Sequence, residues 1–148
     1  MKTILVAVDL SPVSSKILKE AVGLAEELSA KIILLHVISP VSSAVPVGSS
    51  MEMVSVPLPL SAGEIAEVKS ELNTLAATMA TPKVEIETRV KEALPVEEIK
   101  HQAEATGASL LILGSHGHGG LYHLFNGSVV TELLKQSSLP VMIVPARN

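Results

Sequence analysis

The chain has 148 residues, about the size of one domain, and its composition of 47% hydrophobic and 18% charged residues excludes a disordered chain. A net charge of −4 at pH 7 without basic clusters argues against nucleic-acid binding, and no apolar run approaches the roughly 18 residues of a membrane span. Cysteine is absent, which excludes disulfides, a thiolate nucleophile and Cys-ligated metals and fits a reducing, cytoplasmic compartment.

The first quarter of the chain predicts a strand, a helix and a second strand. Residues 3–9 and 32–38 are two nearly continuous apolar runs, which predict the two strands. Between them, Ser11 and Pro12 are suited to the N-cap and first turn of a helix of about 17 residues. Strands that are apolar on both faces are typical of a parallel sheet covered by helices.

Residues 39–60 differ from their surroundings because they are rich in proline and serine. They predict a long and mobile loop, which inside a compact domain is usually functional or disordered. Their Met51, Met53, Val54 and Val56 are more apolar than a free loop requires. We therefore expect part of the loop to pack on the domain or on a partner.

The second helix is predicted to start at the capping-box pattern of Ser61 and Glu64, and Pro82 closes it. Residues 84–90 alternate between apolar and charged, which predicts an edge strand with one wet face. Pro95 and Gly107 are suited to the start and end of a third helix.

Residues 110–113 predict a central strand, a fourth helix follows from Gly127 to about Gln136, and residues 141–144 predict the last strand. The pattern of alternating strands and helices predicts one doubly wound α/β domain over residues 1–148, with five parallel strands and four helices.

A glycine-rich segment joins the strand at 110–113 to the last helix. Its spacing, from Gly114 to Gly127-Ser128, is Gly-x2-Gly-x9-Gly-Ser, which is neither the dinucleotide fingerprint nor the Walker A loop. In open α/β sheets, ligands bind beyond the carboxyl ends of the strands. Glycines and the N-terminus of a helix let backbone N–H groups approach a phosphate closely, and the Ser128 hydroxyl adds a donor.

This spacing resembles the nucleotide-binding motif of the universal stress protein family, in its ATP-binding subgroup. Three further segments match the family in the same order. They are the opening Ile-Leu-Val-Ala-Val-Asp9-x-Ser11, the pair His36-Val37 and the closing segment from Pro140 to Pro145. The resemblance implies a sheet in the strand order 3-2-1-4-5 and a ligand that is ATP, ADP or AMP, with or without Mg²⁺. It also implies a homodimer, which we expect to form through strand 141–145 because an apolar edge strand otherwise exposes unpaired backbone groups.

The resemblance also implies roles for individual residues. Ala7 and Asp9 would lie by the adenine and ribose, and the Val37 backbone would contact the adenine edge. The residues that would surround the phosphates are Gly114, His116, Gly117, His118, Gly127, Ser128 and Val129. The chain departs from the family at Ala7, where proline is frequent, at Ala93, where glycine is common, and in having no Lys or Arg from residue 101 to 134.

These observations favour an adenine-nucleotide-binding regulatory or stress-response protein with an unknown protein partner. Rapid phosphoryl transfer normally needs a cationic clamp, a carboxylate for Mg²⁺ and a base, so we assign no catalytic residue and expect ATP hydrolysis to be slow at most. The alternatives are an ATP-dependent enzyme of unknown substrate and a nucleotide-free dimerisation scaffold. A metal site on His116, His118 and His123 is not favoured, because no carboxylate lies in that segment to complete a ligand set.

Overall fold

The fold is that of a computed structural model, which describes residues 2–49, 52–115 and 127–146. Strands and helices alternate through most of this part of the chain. In chain order they are β1 (Lys2–Ala7), α1 (Ser14–Leu28), β2 (Ala30–Ile38), β3 (Val41–Val47), β4 (Glu52–Leu58), α2 (Ala62–Thr78), β5 (Ile86–Glu92), α3 (Pro95–Thr106), β6 (Leu110–Gly114), α4 (Gly127–Gln136) and β7 (Val141–Val144).

The main sheet has five strands in the order β5-β2-β1-β6-β7, and every neighbouring pair is parallel. Numbered among these five strands alone, the order is 3-2-1-4-5, so the predicted α/β fold is confirmed. β5 lies at one edge of the sheet, as its alternating sequence predicts. It begins at Ile86 rather than at residue 84, because Val84 forms a separate bridge with Thr81.

Two apolar cores lie on the two faces of this sheet. Ile4 and Val6 of β1 face the core that α1 and α2 cover, whereas Leu5 and Ala7 face the core that α3 and α4 cover. All four side chains are almost completely buried. Burial on both faces explains why β1 and β2 are continuous apolar runs rather than alternating ones.

The ends of α2 and α3 follow their local sequence signals. Ser61 and Glu64 form the predicted capping box, since the Glu64 N–H donates to Ser61 Oγ at 3.2 Å and the Ser61 N–H donates to Glu64 Oε2 at 2.7 Å. These bonds lower the pKa of the Glu64 carboxyl below its usual 4.5. Pro95 opens α3, and Gly107 ends it in the left-handed conformation with φ of +61°. The signals are local, and so they predict these ends correctly.

The start of α1 differs from the prediction. The N-cap residue is Val13 rather than Ser11, and the helix begins at Ser14. The Ser11 N–H donates to Asp9 Oδ1 at 3.0 Å, and Leu10 takes a left-handed conformation with φ of +59°. An aspartate side chain that bonds the backbone two residues ahead stabilises a turn, so Ser11 belongs to that turn and not to the helix.

The loop predicted over residues 39–60 is largely an antiparallel hairpin, and the prediction is wrong over β3 and β4. The two strands pair from Val41 with Leu58 to Val47 with Glu52 and form a sheet of their own. Pro46 and Pro57 are compatible with this because proline is tolerated at the edges of sheets. Met53, Val54 and Val56 are 37–62% exposed, so these side chains do not pack tightly on the described part of the domain.

Candidate functional site

The strand order reverses beside β1. The crossover through α1 leads from β1 to β2 on one side, and the crossover through α3 leads from β5 to β6 on the other side of β1. In an open parallel sheet, such a reversal separates the connections and leaves a crevice at the carboxyl ends of the strands. The carboxyl ends of β1 and β6 border that crevice.

Asp9 lies at this edge, two residues beyond β1, and it is the one aspartate in the sequence. Its side chain is 4% exposed, and its Oδ1 atom accepts the bond from Ser11 described above. Ala7, the last residue of β1, is equally buried and faces the α3 and α4 core. The structure therefore brings the predicted residues Ala7 and Asp9 to the end of the central strand.

Three polar atoms at this edge are buried but have no hydrogen-bond partner among the described residues: Asp9 Oδ2, Ser11 Oγ and Ser14 Oγ. Ser14 is the first residue of α1, and no side chain caps the N-terminus of that fully described helix. Most buried polar atoms in proteins have a partner. A group of unpaired polar atoms beside a helix N-terminus is therefore suited to a polar ligand.

His36 lies in β2, the strand next to β1, and its Nδ1 atom is 2.8 Å from the carbonyl oxygen of Val8, the residue before Asp9. A carbonyl only accepts, so Nδ1 carries the proton and donates. Burial lowers the pKa of the His36 imidazole below 6.5, against the opposing effects of the Val8 bond and of the negative charges of Asp9 and Glu71. Burial therefore favours the neutral form of the ring.

Val37, the next-to-last residue of β2, and Gly114, the last residue of β6, lie at the carboxyl ends of the two strands that flank β1. The Val37 side chain is fully buried against the α3 and α4 core, so only its backbone could contact a ligand. Ala93 follows β5, and its N–H donates to the Ile38 carbonyl at 3.0 Å, which ties the ends of β2 and β5 together. Gly114 ends β6 and pairs with Val144 of β7.

The remaining predicted phosphate residues divide into two groups. Gly127, Ser128 and Val129 form the first turn of α4, as predicted, and Val129 packs against the α3 and α4 core. His116, Gly117 and His118 lie outside the described residues, and so does the alternative metal ligand His123. For those four positions the sequence prediction stands as a prediction.

The sequence analysis missed Lys16 and Ser14. Lys16 lies in the first turn of α1, and its Nζ atom donates to the Pro145 carbonyl at 2.8 Å, directly after β7. It brings a cation to the carboxyl edge although residues 101–134 contain none. The signal for both residues is their position in the turn of helix that follows the central strand, a place where anions commonly bind.

A second pocket, of about 260 Å³, lies between α3 and α4 near the amino ends of β6 and β7. Ile99, Leu111 and Leu133 form its apolar floor, and Lys100 Nζ donates to Gln136 Oε1 at 2.9 Å across its rim. Of the predicted ligand residues that the structure describes, none lines this pocket, so it is separate from the described part of the carboxyl-edge site.

Two absences hold within residues 2–49, 52–115 and 127–146, which the structure describes. No group of three or more His, Asp or Glu side chains there is arranged to hold a metal ion. Within the same residues, no helix is both long and apolar enough to cross a membrane.

Comparison with known sequences identifies relatives along almost the whole chain. The model of the universal stress protein family matches residues 1–145. The universal stress protein YxiE of Bacillus subtilis is 35% identical over 144 residues, which cover 95% of this chain and 96% of that protein. The universal stress protein MJ0531 of Methanocaldococcus jannaschii is 31% identical, with coverage of 97% and 81%.

Comparison with solved structures shows the same fold. The protein MJ0577 superposes with a TM-score of 0.69 at 24% identity, covering 99% of this chain and 97% of that one. A universal stress protein in complex with cAMP gives 0.68 at 23% identity, with coverage of 99% and 98%. The universal stress protein of Archaeoglobus fulgidus in complex with dAMP gives 0.67 at 19% identity, with coverage of 97% of both chains.

Proposed function

This chain belongs to the universal stress protein family, and from that membership and the geometry at the end of β1 we propose that it binds an adenine nucleotide at the carboxyl edge of the sheet. The ligand is ATP, ADP or AMP. The protein acts as a stress-response or regulatory module in the cytoplasm, and binding changes the surface that a protein partner meets.

The observation that carries this proposal is the state of the Asp9 carboxylate. One oxygen is engaged by the Ser11 N–H, and the other is buried with no partner among the described residues. A ribose offers two neighbouring hydroxyl donors, and hydrogen bonds to an ionised acceptor are shorter and stronger than those between neutral groups. A ribose at Asp9 would satisfy the oxygen for which the described residues provide no partner.

The two solved complexes support the class of ligand. cAMP and dAMP share an adenine base, a sugar and one phosphorus centre, and both are bound by proteins with the fold of this chain. In our proposal the Ala7 and Val37 backbones lie by the adenine. Gly114, His116, Gly117, His118, Gly127, Ser128 and Val129 surround the phosphates, in a segment whose glycines suit close approach.

Slow hydrolysis is proposed because the phosphate segment lacks a side chain that could act as a cationic clamp. Residues 101–134 contain neither Lys nor Arg, whereas rapid phosphoryl transfer normally uses one together with Mg²⁺. Mg²⁺ would enter with the ATP, as its usual counterion. Measured turnover of Mg-ATP by the purified protein separates this proposal from an ATP-dependent enzyme, for which turnover would be rapid in the presence of substrate.

We further propose that the protein is a homodimer through strand 141–145. β7 lies at an edge of the main sheet, and Val141, Met142 and Ile143 are only half-buried. Pairing with the same strand of a second chain would cover these side chains. It would also give hydrogen-bond partners to the backbone N–H and C=O groups of the edge strand, in a contact with two-fold symmetry. Light scattering at micromolar concentration tests this, and a stable monomer would count against it.

The proposed site is tested by Asp9→Asn, because the amide oxygen still accepts from Ser11 while the charge and one acceptor are lost. We expect affinity for ATP, ADP and AMP to fall about tenfold, as one charge-assisted hydrogen bond becomes neutral. The matched control is Glu92→Gln, which neutralises a carboxylate at the carboxyl end of β5, at the same edge of the sheet. Equal affinity in Asp9→Asn and the wild type would remove Asp9 from the site.

A further inference from the structure

We propose that His36 is the residue that positions Asp9 for the nucleotide. This inference rests on the proposed function, because it concerns the same site. His36 itself would not touch the ligand; it would set the direction in which the Asp9 carboxylate leaves the end of β1.

The geometry that supports this lies in the peptide unit between Val8 and Asp9. The Val8 carbonyl belongs to that unit and accepts from His36 Nδ1 at 2.8 Å, while the Val8 N–H donates to the Leu35 carbonyl at 2.9 Å. β2 therefore holds Val8 on both of its backbone polar groups. The orientation of the Val8 carbonyl fixes the plane of the peptide on which the Asp9 Cα sits.

The residues that follow need such a restraint. Leu10 has φ of +59°, a conformation that is unfavourable for a residue with a branched side chain and persists only where the surroundings hold it. The bond from Ser11 to Asp9 Oδ1 holds the turn on one side, and the bond from His36 holds it on the other. Loss of the His36 donor would let this turn relax and move the unpaired Asp9 Oδ2.

A neutral imidazole is suited to this task. It is almost fully buried, and the negative charges of Asp9 and Glu71 act on it. As a neutral donor it holds the carbonyl without forming an ion pair with Asp9, whose charge is left for the ligand. An arginine or lysine in its place would compete with the ligand for that carboxylate.

The test compares His36→Asn with His36→Leu. The asparagine Nδ2 lies as many bonds from the backbone as the histidine Nδ1 and can donate to Val8, whereas leucine fills similar space without a donor. His36→Gln, whose amide lies one methylene farther out, is a second variant expected to lose the bond if His36→Leu does not fold. Urea unfolding confirms that each variant is native under the binding conditions.

Two readouts are used on these variants. Calorimetry with ATP, ADP and AMP is expected to show an affinity about tenfold weaker in His36→Leu, and a value within about threefold of the wild type in His36→Asn. Amide hydrogen exchange at Ser11, measured without ligand, is expected to accelerate in His36→Leu and to stay near wild type in His36→Asn. Exchange at this amide reports whether the Asp9 turn is closed.

The outcomes separate the two proposals. If the wild type binds nucleotide and His36→Leu binds it equally well, or if His36→Asn is as weak as His36→Leu, the positioning role is overturned and the proposed function stands. If the wild type binds none of the three nucleotides, the proposed function is overturned. Positioning is then judged by exchange at Ser11, and equal exchange in the wild type and His36→Leu overturns it.

Discussion

Two pairs of strands in this protein both contain several aliphatic residues, but they have opposite surroundings. β1 and β2 are parallel neighbours in the middle of the main sheet, with helices on both faces, and most of their side chains are fully buried. β3 and β4, also rich in valine, form a hairpin that packs chiefly on itself. An apolar sequence is thus enough to form a strand, but a covering layer decides whether the strand contributes to the stability of the domain.

The hairpin differs from the sheet in a second way, because most of its branched aliphatic side chains share one face. The strand pairing places Val45, Val47, Val54, Val56 and Leu58 on that face, and each is 36–51% exposed. The opposite face carries small and proline side chains together with Met53. A two-stranded hairpin is marginally stable in water by itself. Opening the hairpin should therefore require less free energy than opening the main sheet.

The largest contrast is expected from the same substitution in the two regions. Val6→Ala in β1 removes two methyl groups from a fully buried position and should lower the free energy of unfolding by about 2–3 kcal/mol. Val54→Ala in the hairpin should change it by less than about 0.5 kcal/mol. Urea unfolding measures both, and a cost at Val54 close to that at Val6 would mean that the hairpin is covered in solution.

A second contrast uses two glycines that both have a positive φ and open space where a Cβ would lie. Gly107 ends α3 with φ of +61°, and Gly48 lies in the hairpin turn with φ of +74°. Alanine at Gly107 should destabilise the domain by about 1–2 kcal/mol, since the strain falls on a helix of the core. Alanine at Gly48 should strain only the hairpin and leave the free energy of unfolding of the domain nearly unchanged. A loss as large as that of Gly107→Ala would show that the hairpin and the main sheet unfold together.

The pH dependence of the free energy of unfolding near neutrality should come from the main sheet, through His36 in β2. Burial holds the pKa of His36 below 6.5 in the folded protein, so the unfolded chain takes up that proton first. The contribution of the neutral His36 to the free energy of unfolding is fully present above pH 6.5. It is lost as the pH falls from 6.5 toward the pKa of His36 in the folded protein. His36→Asn should remove it, whereas His101→Asn, at a side chain 68% exposed on α3, should leave it in place. An unchanged pH profile in His36→Asn would contradict this assignment.

The smallest effect is expected from removing the hairpin altogether. Val41 and Leu58 are paired at its base, so a short Gly-Ser linker can join the chain there. The shortened protein should unfold at nearly the urea concentration of the wild type and bind nucleotide with similar affinity. Loss of folding would show that the hairpin contributes to the core, and loss of binding alone would place it at the ligand site.

The sequence predicts well those features that depend on short-range signals or on burial of both strand faces. The alternation of elements predicts the parallel α/β domain, whereas the strand order comes from the resemblance to the family. The start of α2 follows from Ser61 and Glu64, and the two ends of α3 follow from Pro95 and Gly107. The hairpin was missed because its prolines and serines are typical of loops, while its alternating valines form a pattern of only seven residues per strand. Short alternating runs are weak signals beside proline.

The candidate site could be predicted only in part, because its details depend on tertiary packing. The resemblance to the family identifies Asp9, and the strand order explains why it lies at the crevice. The turn at Leu10, the late start of α1 and the bond from His36 to Val8 all depend on how β1 lies against β2 and α1. No periodicity in the sequence indicates that Asp9 Oδ2 is the buried carboxylate oxygen with no partner among residues 2–49, 52–115 and 127–146.

Calorimetry with ATP, ADP and AMP on the wild type, Gly127→Val and Gly63→Val tests the central claim most directly. Both glycines lie in the first turn of a helix, but Gly63 belongs to α2, where a Cβ would meet only Ser61 Oγ at 3.9 Å. A branched side chain at Gly127 would block the approach of a phosphate to the start of α4. We predict binding by the wild type and Gly63→Val and none by a folded Gly127→Val, whereas equal binding by all three, or by none, would contradict a nucleotide site at this edge.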